Sequence, residues 1–206
     1  MGSLAVDRVR EAIYSEDRLI FFMRAAAKKV PDSPSPKAEG LRLKRALRTD
    51  SSAYARDIGT DSPSTFRSRL SESTRCYLVI EEERALHATW VTTSASWVRE
   101  IARYFRPPQG DAYVYESFTR DDARGRGIYP LALRGICEDL ANDGLDRVWV
   151  AVEADNPPSL KAVAKGGFEE AFELAYERRL GRLTVSEPWG KMTELCPGCF
   201  AKKLSE

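Results

Sequence analysis

The chain has 206 residues, 43% of them apolar, which is enough to bury one sizeable core and too little for two full domains. Its 32 Lys and Arg nearly cancel its 31 Asp and Glu, so no global field gathers nucleic acid or anionic lipid, and any anion site must be local. The longest apolar runs, such as Leu19 to Met23, fall far short of the roughly 20 residues that a membrane crossing needs, and no secretory pattern opens the chain, so a cytoplasmic protein is expected.

Val6, Val9 and Ile13 recur at helical spacing and predict a short amphipathic helix, whereas Leu19 to Met23 fits strand or helix and periodicity does not decide. Three prolines between Pro31 and Pro36 remove backbone donors and fix their own dihedrals, which predicts a linker. Residues 1–36 are therefore expected to form an N-terminal extension and linker, 37–186 the main domain, and 187–206 a tail. Leu41 to Leu47 alternates weakly, as a first strand would, and helices are expected around Ser51 to Ile58 and Ser64 to Leu70. Cys76 to Ile80 and Leu86 to Thr92 read as a hairpin across the acidic turn Glu81 to Arg84, although no glycine is present. Ala112 to Thr119 is a strand. Ile128 to Asn142 is a helix with Leu131, Ala132, Gly135, Ile136 and Leu140 on one stripe, and Arg147 to Glu153 is a further strand. A short helix follows Asn156 and ends at Gly166 and Gly167, and Phe168 to Leu180 supplies one or two closing strands. A strand, a helix and a strand within about forty residues require the two strands to lie parallel, while the rest pair as hairpins. The expected class is α/β in the α+β sense: a mixed, mostly antiparallel sheet with one parallel step.

The most informative stretch runs from Thr119 to Pro130 and joins a strand to a helix through Gly125 and Gly127. A helix start presents unpaired N–H groups and partial positive charge, so a diphosphate can sit there if no side chain obstructs it. Arg120, Arg124 and Arg126 are expected to add positive charge. Pro130 is tolerated only in a first helical turn, which leaves the amides of Arg126, Gly127, Ile128 and Tyr129 for the anion. A Rossmann loop competes for the same glycines, but Pro130 holds its third glycine position. A solvated, ligand-free turn is the other alternative.

With these residues the chain resembles the GNAT N-acetyltransferases. Their cofactor motif, Arg or Gln, two residues, Gly, one residue, Gly or Ala, is met by Arg124-Gly125-Arg126-Gly127-Ile128-Tyr129 except at Tyr129, whose bulk must point away from the phosphates or lie against the adenosine or the substrate. Val148 to Asn156, then Ser159, then Lys165-Gly166-Gly167-Phe168 look like the family's strand, Asn-led helix and Gly-Phe turn. The resemblance implies helices on both sheet faces and acyl-CoA, usually acetyl-CoA, in a V-shaped gap between the two central parallel strands. It implies that Ser117, Phe118 and Thr119 pair with the pantetheine arm, that residues 124–129 hold the diphosphate, and that Asn156, with Ser159 beside it, contacts the pantetheine amide. Helix capping by Asn156 ahead of Pro157 is an equal alternative.

Direct attack of an amine on a thioester needs an oxyanion donor, a base and a proton for the thiolate. The backbone N–H of Phe118 is the expected donor. Strand alternation puts Glu116 on the face of Val114 and Phe118, partly desolvated and so the first candidate base, with Glu153 the second and simple pairing with an Arg the alternative for either. Where many family members carry a Tyr seven residues after the motif's Asn, this chain has Val163, so Tyr129, then Tyr115 and Tyr176, are the substitutes for the general acid. His87, the only histidine, is a candidate to meet substrate, with a packed, hydrogen-bonded ring as the alternative. Trp90, Trp97, Tyr104 and Phe105 are candidates for an aromatic acceptor pocket, and core packing explains Trp90 as well. Cys196 and Cys199 form half of a zinc or redox pattern with no second half, so two free or bridged thiols and no metal are expected, while Cys76 and Cys137 read as buried hydrophobes. The expected acceptor is a primary amine of a small molecule, amino acid or peptide, and the expected assembly a monomer or homodimer without nucleic acid or membrane. A catalytically silent CoA-binding regulatory module, and a longer acyl-CoA or acyl-carrier-protein donor, are the alternatives.

Overall fold

A computed structural model describes residues 14–27 and 40–203. The expected N-terminal helix at Val6 to Ile13 and the proline-rich linker lie outside the described residues. The apolar run at Leu19 is a strand, β1 (Tyr14–Ala25). Ile20 and Phe22 enter one core cluster and Leu19 and Phe21 another, so both faces of the strand are covered. A strand buried on both sides has no polar face to alternate, which is why its pattern reads as continuous.

The remaining strands are β2 (Leu41–Arg45), β3 (Thr74–Glu81), β4 (Arg84–Thr92), β5 (Ser96–Val98), β6 (Arg103–Phe105), β7 (Asp111–Thr119), β8 (Arg147–Glu153), β9 (Glu169–Arg179), β10 (Arg182–Val185) and β11 (Phe200–Ala201). Among the described residues the α-helices are α1 (Ser51–Asp57), α2 (Pro63–Arg69), α3 (Ile128–Asn142) and α4 (Pro157–Lys165). Eight strands form one sheet in the order β10-β9-β1-β8-β7-β4-β3-β2, and β11-β6-β5 form a second, small sheet. Among the described residues only β7 and β8 run parallel, and every other strand pairing is antiparallel. β1, expected in an N-terminal extension, lies inside the large sheet between β9 and β8. The acidic hairpin turn is closed by Glu82 in the left-handed region, at φ 53°, a place that glycine usually takes.

Helices cover both faces of the sheet. α3 packs Ile128, Ala132, Leu133, Ile136 and Leu140 with Val163 and Phe168 on one face, while Tyr54 and Phe66 of α1 and α2 pack on Cys76, Leu78 and Trp90 on the other. The tail covers a third cluster: Cys196 and Cys199 are buried, joined by a disulfide, and packed with Phe21, Phe105 and Phe172.

Two features of β7 open a gap in the middle of the large sheet. Its pairing with β8 runs only from Asp111↔Arg147 to Val114↔Val150, although both strands continue beyond, so they part into an open wedge. At the same place the register with β4 slips: Trp90 faces Tyr115 while Ala88 faces Phe118, which leaves one extra residue on β7. Glu116 absorbs this bulge at φ 48°.

Candidate active site

The wedge opens into a cleft of about 1350 Å³ that runs from the loop before α3 to β5. Its phosphate-loop end is built by Gly125 and Gly127, both at φ 76°, a conformation that L side chains rarely adopt. A Cβ added at either would meet nothing within 4 Å, so the space above the loop is open. Gly127 is the N-cap of α3, as Pro130 requires, and the amides of residues 125–129 donate no backbone hydrogen bond among the described residues. A row of unpaired donors thus faces the cleft at the positive end of a 15-residue helix.

The loop's arginines do not supply the expected charge. Arg120 grips Asp122 and donates to the Asp57 carbonyl; Arg126 forms a two-pronged pair with Glu81; Arg124 pairs with Asp121 at 2.8 Å. Of the three only Arg124 lines the cleft. At the loop itself the free donors are therefore mainly backbone, while Lys161 and Lys165 of α4 also line the cleft. Asn156 lines the cleft and also caps α4, its Oδ1 accepting from Ser159 N at 3.2 Å while its Nδ2 has no partner among the described residues. The two readings of this side chain are compatible.

Along β7, Arg120 donates its backbone N–H to Leu86 of β4 at 3.0 Å. Antiparallel alternation then turns the Phe118 N–H towards Ala88 on β4 as well, and points the N–H and C=O of Thr119 into the wedge. The Phe118 N–H, expected to face the gap, thus turns to β4, and the amide that faces the wedge is that of the next residue.

Glu116 is not desolvated. The bulge turns it outwards, its side chain is 61% exposed, and it is held by Arg69 Nη2 at 2.5 Å. Glu153 also lines the cleft, at the open end of β8, and forms no ion pair among the described residues; its Oε1 accepts from Tyr176 Oη at 2.8 Å. That phenol is spent on the carboxylate, and Tyr115 is engaged with Arg69. Tyr129, half-buried, lines the cleft with its ring 5.4 Å from His87; burial raises its pKa, and the Ser117 hydroxyl beside it works in the opposite direction.

His87 is 1% exposed, with Nδ1 2.7 Å from Thr119 Oγ1 and Nε2 2.6 Å from Thr89 Oγ1. Both ring nitrogens are occupied, so the ring has none left for a substrate; burial pushes its pKa down to about 3. Trp90 belongs to the core rather than to an acceptor pocket: it is 1% exposed, donates to Tyr54 and carries the Arg69 guanidinium 3.9 Å above its ring. Trp97, 47% exposed, does line the cleft, backed edge-on by Tyr104, which does not reach it; Phe105 is fully buried. Arg69, absent from the sequence-based candidates, organises Glu116, Tyr115 and Trp90 at once, and nothing in its local pattern points there.

A splayed parallel pair with a glycine-bounded helix start between its strands defines a class, and the family comparison agrees. The chain matches the Acetyltransferase (GNAT) family over residues 44–168, and it belongs to that family. Its fold is similar to that of the GCN5-related N-acetyltransferase from Sphaerobacter thermophilus (13% identity, TM-score 0.54, covering 85% of this chain and 56% of that one). It is also similar to the ribosomal-protein-S18-alanine N-acetyltransferase from Escherichia coli (16%, 0.50, 64% and 79%) and to an aminoglycoside acetyltransferase from an uncultured soil metagenomic sample (11%, 0.50, 62% and 88%). Identities this low show the fold alone, and the chain spans only 56% of the length of the Sphaerobacter protein. No curated protein matches.

Proposed function

We propose that this chain is an N-acyltransferase that moves an acetyl group from acetyl-CoA to a primary amine of a small molecule, amino acid or peptide. The observation that carries this reading is the meeting of an unpaired amide row, at residues 125–129, with the point where β7 and β8 part. The residues fit the donor: open space above two glycines suits a diphosphate, and the unpaired edge of β7 suits an amide-bearing arm. A bound acetyl-CoA would supply the activated acyl group. The Thr119 N–H is placed to hold a developing oxyanion, and the Asn156 Nδ2 to fix an amide of the arm. Glu153, free of any cationic partner among the described residues, is better placed than Glu116 to take a proton from the acceptor nitrogen. Trp97 and Tyr115 offer the acceptor an aromatic wall. The family relationship and the absence, among the described residues, of any helix long and apolar enough to cross a membrane are consistent with this reading.

The test is thiol release from acetyl-CoA with a panel of amines: an aminoglycoside, an alanine-initial peptide, a polyamine and an arylalkylamine. One class is expected to be turned over, with Glu153→Gln lowering kcat about a hundredfold and Glu116→Gln by less than about fivefold. CoA binding without turnover of any amine would favour a silent binding module. Turnover only with longer thioesters would correct the donor.

A further inference from the structure

The disulfide joins cysteines only three residues apart in sequence. Closing so short a loop restricts the unfolded chain little. The tail has other fastenings when the bridge opens: β11 pairs with β6, Met192 N–H donates to the Ala171 carbonyl, and the Phe200 ring packs on Phe21, Phe105 and Phe172. Both cysteines lie beneath the exposed turn Pro197-Gly198, and a Cβ added at Gly198 would meet nothing within 4 Å, so the turn is open to a small solute. Cys76 and Cys137 are fully buried, and burial pushes both thiols up, the second to about 12, so neither competes near neutrality. Cys199 also joins the tail to the cleft. Its carbonyl accepts from Arg106 N–H at 2.8 Å, and the next two residues pair with β6, Phe200 opposite Phe105 and Ala201 opposite Tyr104. Tyr104 in turn lies opposite Trp97 on β5, their rings 4.9 Å apart and edge to face, and Trp97 lines the cleft with Arg99 and Glu100. β11, β6 and β5 form a sheet of their own, so a shift at Cys199 reaches this wall without crossing the large sheet.

We propose that Cys196 and Cys199 are a redox-active pair that exchanges with small thiols and disulfides, and that its oxidised form fixes the β5 wall against which the acceptor binds. What concerns the acceptor rests on the acetyltransferase reading; the exchange itself does not. In the reducing direction a small-molecule thiolate attacks one cysteine sulfur, the S–S bond breaks, and its electron pair stays on the other cysteine, which takes up a proton. A second small thiolate then displaces the first cysteine from the mixed disulfide, and that sulfur is protonated in turn. Two electrons and two protons pass to the protein, and the two small thiols leave as one disulfide; oxidation by a small disulfide is the reverse. With the bond in place the turn holds one shape and presents the Cys199 carbonyl to Arg106. Without it the turn gains conformational freedom, and its hold on the end of β6 weakens. The phosphate-loop end is insulated from this change, because Ile128 and the rest of α3 pack in a different core cluster from the two cysteines.

The test begins with the native wild type equilibrated in graded mixtures of reduced and oxidised glutathione, its thiols trapped by alkylation and counted by mass. One transition of two thiols is expected, with Cys76 and Cys137 unlabelled. A bridge that persists in every mixture, never forms, or opens only with unfolding overturns the proposal. Hydrogen exchange then compares the two forms: amides of residues 96–106 are expected to exchange at least about fivefold faster after reduction, and those of 125–142 at an unchanged rate. Equal protection of 96–106 in both forms overturns the proposal. With an amine that is turned over, reduction is expected to raise its KM at least about fivefold and that of acetyl-CoA by less than about twofold. An equal change in both, or in neither, overturns it as well. The double variant Cys196→Ser, Cys199→Ser is expected to match the reduced enzyme and to ignore glutathione, and a response to glutathione in that variant speaks against the pair. Should the variant fail to fold, recovery of the lower KM on reoxidising the wild type takes its place, and lack of recovery overturns the proposal. Failure of the wild type to turn over any amine sinks the acetyltransferase reading instead, while the thiol count and hydrogen exchange still decide the redox pair.

Discussion

Burial of His87 between two threonine hydroxyls ties its protonation to the fold. The imidazole is neutral in the native state down to about pH 3, whereas the unfolded chain protonates it near pH 6.5. Its native pKa is depressed, so the unfolded state binds the extra proton: this contribution to stability is whole above pH 6.5 and is lost as pH falls towards 3. Thermal or urea melts between pH 7 and 5, above the carboxylate range, are expected to lose up to about 1.4 kcal/mol per pH unit in the wild type, and His87→Gln is expected to flatten that slope. Equal slopes for both proteins would contradict the assignment. At this scale the sequence reveals residue types better than partners. Arg120, Arg124 and Arg126 read as a positive cluster, yet Asp121 and Asp122 sit beside them in the chain and Glu81 arrives from a turn 45 residues away. His87 reads as a candidate for substrate because one of its threonine partners, Thr119, lies on β7, whose register with β4 a single sequence does not state, while Thr89 is two residues along its own strand.

The parallel pair is closed at one end and open at the other, and each end has its own cause. At the closed end Asp111, 1% exposed, accepts from Arg147 Nε at 3.0 Å and from Trp149 Nε1 at 2.7 Å. This clasp joins the first residues of β7 and β8. Asp111→Ala leaves the Trp149 N–H buried without an acceptor and Arg147 without its counter-charge, so a loss of about 3–5 kcal/mol is expected in urea unfolding. A loss below about 1 kcal/mol would show that the strands hold together without it. At the open end the bulge at Glu116 shifts every later side chain by one place. α3 and β8 are legible to the residue, since a periodic stripe, Pro130 and a β-branched run mark their limits. The bulge is not, because alternation is the only rule the sequence offers for β7, and Glu116 breaks it; the placements of Glu116 and of the Phe118 amide fail together for that reason. β1 is legible as apolar but not as central, since its partners β8 and β9 lie more than a hundred residues away in the chain.

Across the molecule charge is near neutral and the loop's Arg124 and Arg126 are each paired with an acid, so the proposed recognition of a diphosphate at the loop falls mainly on peptide dipoles. Backbone recognition depends on two residues that lack a Cβ and on the direction of one helix. Titration calorimetry of coenzyme A against the wild type and Gly127→Val tests this most directly. A dissociation constant on the order of 1–100 μM is expected for the wild type, with affinity at least about tenfold weaker for the variant, because its side chain enters the anion's space and its φ of 76° is strained. Absence of both heat and thermal stabilisation at millimolar coenzyme A, or equal binding by wild type and Gly127→Val, would contradict the account.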